Sequence, residues 1–268
     1  MHAWGGSGPP VLLAHPTGFH GIAWAPVAEQ LVNAGRSVWS FDFRGHGDSD
    51  PSPAATYSWA EYAADAHAVT EHLELVGDPR LVAVGHSKGA AALLLGEADA
   101  PGTYSRIWAY EPIIFPTDVT QSPDHDNPLS AGARRRRAIW PSREEALASY
   151  SSRPPLDVFD SDALRAYVEY GFRDLPDGNV TLKCDPEHEA TMYAMGAANG
   201  IYARLREVTC PVLVACGELT DAIVPSLAHK IADRIAQSSI EIWNARGHFG
   251  PLQDPDRAVE SIVRFATA

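Results

Sequence analysis

Leu81-Val82-Ala83-Val84-Gly85-His86-Ser87-Lys88-Gly89-Ala90-Ala91-Ala92-Leu93-Leu94-Leu95-Gly96-Glu97 joins a short apolar run to a longer helix-forming one across a G-x-S-x-G turn. Leu81–Gly85 predicts a buried strand and Ala90–Glu97 a helix, so the serine falls on a sharp strand-to-helix bend. Glycines on either side of the bend let strand and helix approach without a Cβ clash. The Ser87 hydroxyl then stands above the sheet, near the positive end of the following helix. That is where a nucleophile is wanted.

Working outward, the same alternation recurs. Val11–Ala14 and Ser37–Asp42 predict strands before this turn, and Arg106–Tyr110 predicts one after it. Helices are expected over Ala23–Ala34 and Ser58–Val76, the second opened by a capping box of Ser58 and Glu61. Gly35 follows the first helix where a left-handed residue ends it. Near the C-terminus come strands Val212–Cys216 and Ser239–Trp243, a helix around Val224–Ile235 and a last helix over Pro255–Ala266. Strand alternating with helix implies a doubly wound, mostly parallel α/β sheet. The alternation stops between Ile113 and about Gly200, where helical pieces are expected near Ala131–Ile139, Arg143–Ser152, Asp160–Gly171 and Glu187–Met195. The expected organisation is therefore a core of residues 1–112 and 201–268 with a helical insertion over 113–200. His2–Trp4 is read as the remnant of an outer strand.

Composition sets bounds on the partners. With 268 residues and 45% hydrophobic content, the chain can build a large core without metal or disulfide staples. Its net charge of -13 repels phosphate backbones and anionic lipid, which argues against nucleic acid or a membrane surface as partner. The three cysteines, Cys184, Cys210 and Cys216, have no metal-ligand spacing. No basic-then-apolar leader is visible, and no apolar stretch nears the ~20 residues that span a bilayer. A cytoplasmic enzyme without a cofactor is the expectation, and its oligomeric state is left open.

A serine hydroxyl needs a general base, and position selects one among 11 histidines. His248 lies in the glycine-flanked loop Asn244–Pro251 after the last strand, at the sheet edge where α/β proteins bind ligands. His15 and His46 sit in turns, His67, His72 and His229 on helices, and His86 beside the nucleophile. His2, His20, His125 and His188 carry no pattern. The base needs a carboxylate to orient it. Asp221, after strand Val212–Cys216, gives the chain order Ser87, Asp221, His248 and is preferred. Glu111, at the end of strand Arg106–Tyr110, competes for the same role. The turn His15–Gly21 supplies an expected oxyanion donor at Thr17, with Gly18 close behind it, and the Lys88 amide is the second donor.

These pieces resemble the α/β-hydrolase superfamily over nearly the whole chain. Phe41-Asp42-Phe43-Arg44-Gly45-His46-Gly47-Asp48-Ser49 resembles the family's turn after the second buried strand, where Asp42, Arg44 and Ser49 would brace loops. Asn244–Pro251 resembles its histidine loop, and the resemblance makes 113–200 a cap over the crevice. Pro16 stands where the family commonly shows glycine, and the family's N-terminal strands look truncated. Related haloalkane dehalogenases place a catalytic glutamate where Glu111 falls. Those enzymes and epoxide hydrolases carry an aspartate nucleophile, so Ser87 argues against both chemistries.

The expected activity is hydrolysis of carboxylic esters of small to medium, largely apolar substrates through an acyl-enzyme. Lactonase, thioesterase, amidase and carbon–carbon bond hydrolase use the same triad. A lyase or a ligand-binding protein on this fold are the rivals from other classes. Phe19, Phe249 and Trp140 are the expected substrate contacts, with Tyr150, Phe159, Tyr167, Tyr170, Met192 and Tyr193 shared between pocket and cap core. The Lys88 side chain is expected to run toward solvent. Arg134–Arg137 is expected to be a solvated surface paired with Glu144 or Glu145.

Overall fold

The computed structural model describes residues 1–53, 56–116, 127–196 and 200–268; His125 and part of the expected insertion lie outside them. The first half runs β1 (His2–Gly5), β2 (Pro10–Ala14), a 3-10 turn (Gly21–Trp24), α1 (Ala25–Asn33), β3 (Ser37–Phe41), α2 (Trp59–His72), β4 (Val82–His86), α3 (Lys88–Asp99) and β5 (Arg106–Tyr110). Then come α4 (Pro128–Arg134), β6 (Ile139–Trp140), α5 (Arg143–Tyr150), α6 (Ser161–Gly171), β7 (Phe172–Asp174), β8 (Val180–Leu182) and α7 (Pro186–Ala194). The chain closes with α8 (Ile201–Arg204), β9 (Val212–Gly217), α9 (Pro225–Ala232), β10 (Ser238–Trp243), α10 (Gly250–Gln253) and α11 (Pro255–Thr267).

Among the described residues, seven strands form one sheet in the order β1-β3-β2-β4-β5-β9-β10. Only the edge strand β1 runs antiparallel, against β3. The remaining pairs are parallel, the pattern implied by strand–helix alternation. Both sheet faces are covered, so β2, β4 and β9 are buried along their whole length. On one face, Val27 and Leu31 of α1 pack with Ile262 and Phe265 of α11, beside Trp108 and Trp243. On the other, α2, α3 and α9 pack against Leu12, Ala83, Ile107 and Val214. Burying each large side chain there contributes about 1.5–3 kcal/mol.

Local signals explain the helix ends. Ser58 caps α2 by accepting from the Glu61 amide at 3.2 Å, but the expected capping box is only half made, because the Glu61 carboxylate accepts from the Ser58 hydroxyl at 2.9 Å and not from the Ser58 amide. Asp254 caps α11 by accepting from the Arg257 amide at 3.2 Å.

The segment between β5 and β9 is not wholly helical. Its strands β6, β7 and β8 form a second, antiparallel sheet in the order β6-β8-β7. These strands are two or three residues long, too short for a two-residue period to show in sequence. Trp140, Phe172, Val180 and Leu182 of these strands share an apolar cluster with Leu164, Tyr167 and Val168, which also includes Phe19, Ala23 and Leu252 from outside the segment.

Strand register is what assembles the site. His86 pairs with Tyr110, Tyr110 with Ala215, and Gly217 with Trp243. The C-terminal ends of β4, β5, β9 and β10 are therefore level, and the residues that follow each strand meet at one edge.

Candidate active site

Ser87 follows β4 directly and adopts φ 56°, ψ −116°, a backbone region that costs a non-glycine residue about 1–3 kcal/mol. The surroundings hold it there. Its amide donates to Tyr110 O at 2.9 Å, and its carbonyl accepts from the amides of Ala91 at 3.1 Å and Ile113 at 3.4 Å. Gly89 is dictated by close approach, because a Cβ there would strike the Ala14 carbonyl of β2. Ser87 is 6% exposed.

Glu111, the first residue after β5, is fully buried. Its Oε1 accepts from the Gly217 amide at 2.9 Å, and its Oε2 from Thr220 Oγ1 at 2.7 Å and His248 Nδ1 at 2.6 Å. Three donors compensate the desolvation of a buried carboxylate. The bond to Nδ1 also fixes the imidazole so that its Nε2 faces away from the acid.

The loop carrying His248 is pinned from several sides. Tyr110 Oη donates to Gly247 O at 2.8 Å, the Gly247 amide donates to Gln253 Oε1 at 3.0 Å, and Arg246 pairs with Asp254 at 2.7 Å. The His86 ring lies 4.9 Å from the His248 ring. Burial, and then the neighbouring His248, push the His86 imidazole well below its ordinary range, so it stays neutral.

The preference for Asp221 as partner of His248 is corrected by this geometry. Asp221 is exposed, and among the described residues it makes no hydrogen bond or ion pair. Its neighbour Thr220 is the residue of that loop that turns inward, and it holds Glu111. Thr220 was missed in the sequence because a hydroxyl one residue from a carboxylate carries no pattern. Glu111 did leave a signal: a carboxylate closing the apolar run Ile107–Tyr110, where a charge is buried only if paired.

Thr17 lies in the turn after β2, where the Phe19 amide donates to Pro16 O at 3.3 Å. Gly18 has φ +80°, the left-handed position of a type II turn. His15 braces the turn: its Nδ1 donates to Pro16 O at 2.7 Å and its Nε2 accepts from the Phe43 amide at 3.1 Å. Among the described residues, neither the Thr17 nor the Lys88 amide donates a hydrogen bond within the protein.

The Lys88 side chain does not run to solvent. It is 1% exposed, with Nζ 3.2 Å from His46 Nε2 and 4.3 and 4.4 Å from the Phe43 and Tyr62 ring centres. As the first residue of α3 it is directed into the space between the β3–α2 loop and α2. Burial drives its amine well below the ordinary lysine range. The loop after β3 is braced by Asp42, which accepts from the amides of Gly21 at 2.6 Å and Asp48 at 3.0 Å. Arg44 is tied to Asp65 at 2.7 Å and to Glu61 at 2.5 Å.

A cavity of about 780 Å³, lined mainly by the segment between β5 and β9, reaches Phe19 and Phe249 but not Ser87 or His248 themselves; it is large enough for a drug-sized ligand. Phe19, Trp140, Tyr150, Tyr167, Tyr193 and Phe249 are among its lining residues. Phe249 sits with its ring 5.2 Å from that of His248 and 5.8 Å from that of Phe19. Tyr170, by contrast, is exposed, and Met192 belongs to the main core. The arginine run also departs from expectation. Arg134 pairs with Glu187 at 3.0 Å, Arg136 with the buried Glu189, and Arg137 stacks 4.3 Å over Trp140. Glu144 and Glu145 are not their partners, because α7 packs against α4 and offers nearer acids.

Sheet order, the G-x-S-x-G turn between β4 and α3, and the loop carrying His248 are together those of one class of protein. A profile of the alpha/beta hydrolase family matches residues 11–261, and the chain belongs to that family. It is 36% identical to an uncharacterized protein of Mycobacterium tuberculosis, over 97% of this chain and 76% of that one. It is 28% identical to the non-heme chloroperoxidase of Streptomyces lividans, over 91% of this chain and 87% of that one. The crystal structure of E-2-(acetamidomethylene)succinate hydrolase superposes with a TM-score of 0.84 at 23% identity, covering 98% of this chain and 93% of that one. Among the described residues, no helix is long and apolar enough to cross a membrane.

Proposed function

We propose that this protein is a serine hydrolase that cleaves carboxylic esters through an acyl-enzyme. The observation that carries the reading is the 2.6 Å bond from His248 Nδ1 to the buried Glu111 carboxylate, formed at the sheet edge that also presents Ser87. Glu111 holds the imidazole with its proton on Nδ1, so Nε2 is the basic nitrogen. His248 takes the Ser87 proton as Oγ attacks the ester carbonyl. The Thr17 and Lys88 amides receive the developing oxyanion. The imidazolium, stabilised by Glu111, returns the proton to the departing alcohol. Water then enters by the same route and releases the acid. Asp221 has no part in this scheme.

The insertion acts as the cap, and the aromatic cavity it encloses with Phe19 and Phe249 takes a small to medium, largely apolar substrate, with Phe19, Trp140 and Phe249 as contacts. Burst kinetics with short-chain p-nitrophenyl esters test the reading. A burst of p-nitrophenolate equal to the enzyme concentration, abolished in Ser87→Ala, is the expected result. Folded protein that turns over no chain length contradicts it.

A further inference from the structure

We infer that Arg136, Glu189 and Tyr167 form a strut that positions the oxyanion turn, so that the cap holds part of the catalytic machinery in place. The inference rests on the hydrolase reading above. Residues 18–20 are each touched by one of the strut residues. A Cβ on Gly18 would run into the Glu189 carboxylate and come within 3.5 Å of Arg136 Nη1, so the turn and the ion pair are packed directly together. Tyr167 Oη accepts from Arg136 Nη2 at 2.7 Å and donates to Gly18 O at 3.4 Å. The Phe19 ring lies 4.7 Å from the Tyr167 ring, and His20 Nε2 donates to Tyr167 O at 3.1 Å.

Each partner comes from a different part of the insertion: Arg136 follows α4, Tyr167 is on α6 and Glu189 on α7. Glu189 is 4% exposed, so it is neutralised by Arg136 rather than by water. The pair therefore adds little net charge beside the place where an oxyanion forms. What it adds is position. An oxyanion donor works only within a few tenths of an ångström of its proper place. The Thr17 N–H shares its peptide with the Pro16 carbonyl, which accepts from the Phe19 amide and His15 Nδ1, and the strut holds the same turn at Gly18 through its carbonyl. These three are positioning residues, acting on the substrate through the turn.

The test compares Glu189→Gln and Tyr167→Phe with the intact protein on p-nitrophenyl butyrate, and measures affinity for a trifluoromethyl ketone that forms an oxyanion on the serine. A displaced donor loses part of the roughly 10² to 10³ that a deleted one costs. For Glu189→Gln, kcat is expected to fall about tenfold with KM within about twofold. Inhibitor affinity falls by the same factor as kcat, and the pH midpoint of kcat/KM stays put because Glu111 and His248 are untouched. Tyr167→Phe keeps the ring and the ion pair, so it remains folded even where Glu189→Gln does not; it is expected to lose a smaller factor in kcat. A rise in KM at unchanged kcat would make these ordinary pocket contacts and overturn the strut. So would full kcat and full inhibitor affinity in folded Tyr167→Phe. If the intact protein neither hydrolyses esters nor is labelled at Ser87 by a fluorophosphonate, the hydrolase reading falls and takes the strut with it. Turnover by the intact protein with unaffected variants removes the strut alone.

Discussion

Glu111 is enclosed by the ends of three strands, and each of its oxygens meets a donor that the sheet register has placed there. Replacing it by glutamine keeps the shape but reverses one hydrogen bond. An amide nitrogen facing His248 Nδ1 favours the wrong tautomer, with the proton moved to Nε2. Glu111→Gln is therefore expected to lower kcat by about 10³ to 10⁴, while Asp221→Asn, an exposed change, stays within twofold. Steady-state kinetics on one p-nitrophenyl ester check both variants. A severe loss in Asp221→Asn with a mild one in Glu111→Gln would reverse the assignment. Both acids follow a strand of the same sheet, and only the family's usual chain order favoured Asp221 in the sequence. Which strand end faces the histidine loop is a matter of sheet order and side-chain direction, and neither is written in the local pattern.

At the scale of elements, what could be read was whatever has a period. Arg106–Tyr110 appears as a strand with the boundaries expected, and the turn around Ser87 lies between strand and helix because β-branched residues give way to alanine and leucine there. Ser58 and Glu61 marked their helix by a capping bond that depends on three residues alone. The insertion was legible in most of its helices and silent in its strands: the helix expected over Ala131–Ile139 is Pro128–Arg134, and Ile139 belongs to β6. Ile139–Trp140 is a strand only because Val180–Leu182 lies beside it, some forty residues on. Lys88 shows the same limit for a side chain. Nothing in Ser-Lys-Gly says that the amine will meet His46, Phe43 and Tyr62, which come from the β3–α2 loop and from α2. A lysine beside an exposed turn reads as solvated until the loop that covers it is known.

At the scale of the whole molecule, the loops around the site are stapled by histidines buried as neutral rings. Burial lowers His20 to about 4 and pushes His15, His46 and His86 down as well. The unfolded chain protonates these groups near pH 6.5 while the folded protein does not, so unfolding takes up protons as the pH falls. The stability these rings contribute is thus full above pH 6.5 and is lost toward pH 4, with His20 alone accounting for about 3 kcal/mol across that window. Asp42 is pushed up by burial but held down more strongly by His2 and by the Gly21 and Asp48 amides. Its contribution is lost only at still lower pH. Urea unfolding from pH 7.5 to 4.5 checks this, and a flat profile would show that these rings reach solvent. On the proposed mechanism Ser87 carries the acyl group during turnover, so intact-protein mass spectrometry on samples acid-quenched during ester hydrolysis is the decisive measurement. A mass gain equal to the acyl group (with loss of one hydrogen), located on the peptide containing Ser87 and absent in Ser87→Ala, is the expected result. Turnover with no adduct, or an adduct on another residue, would contradict it.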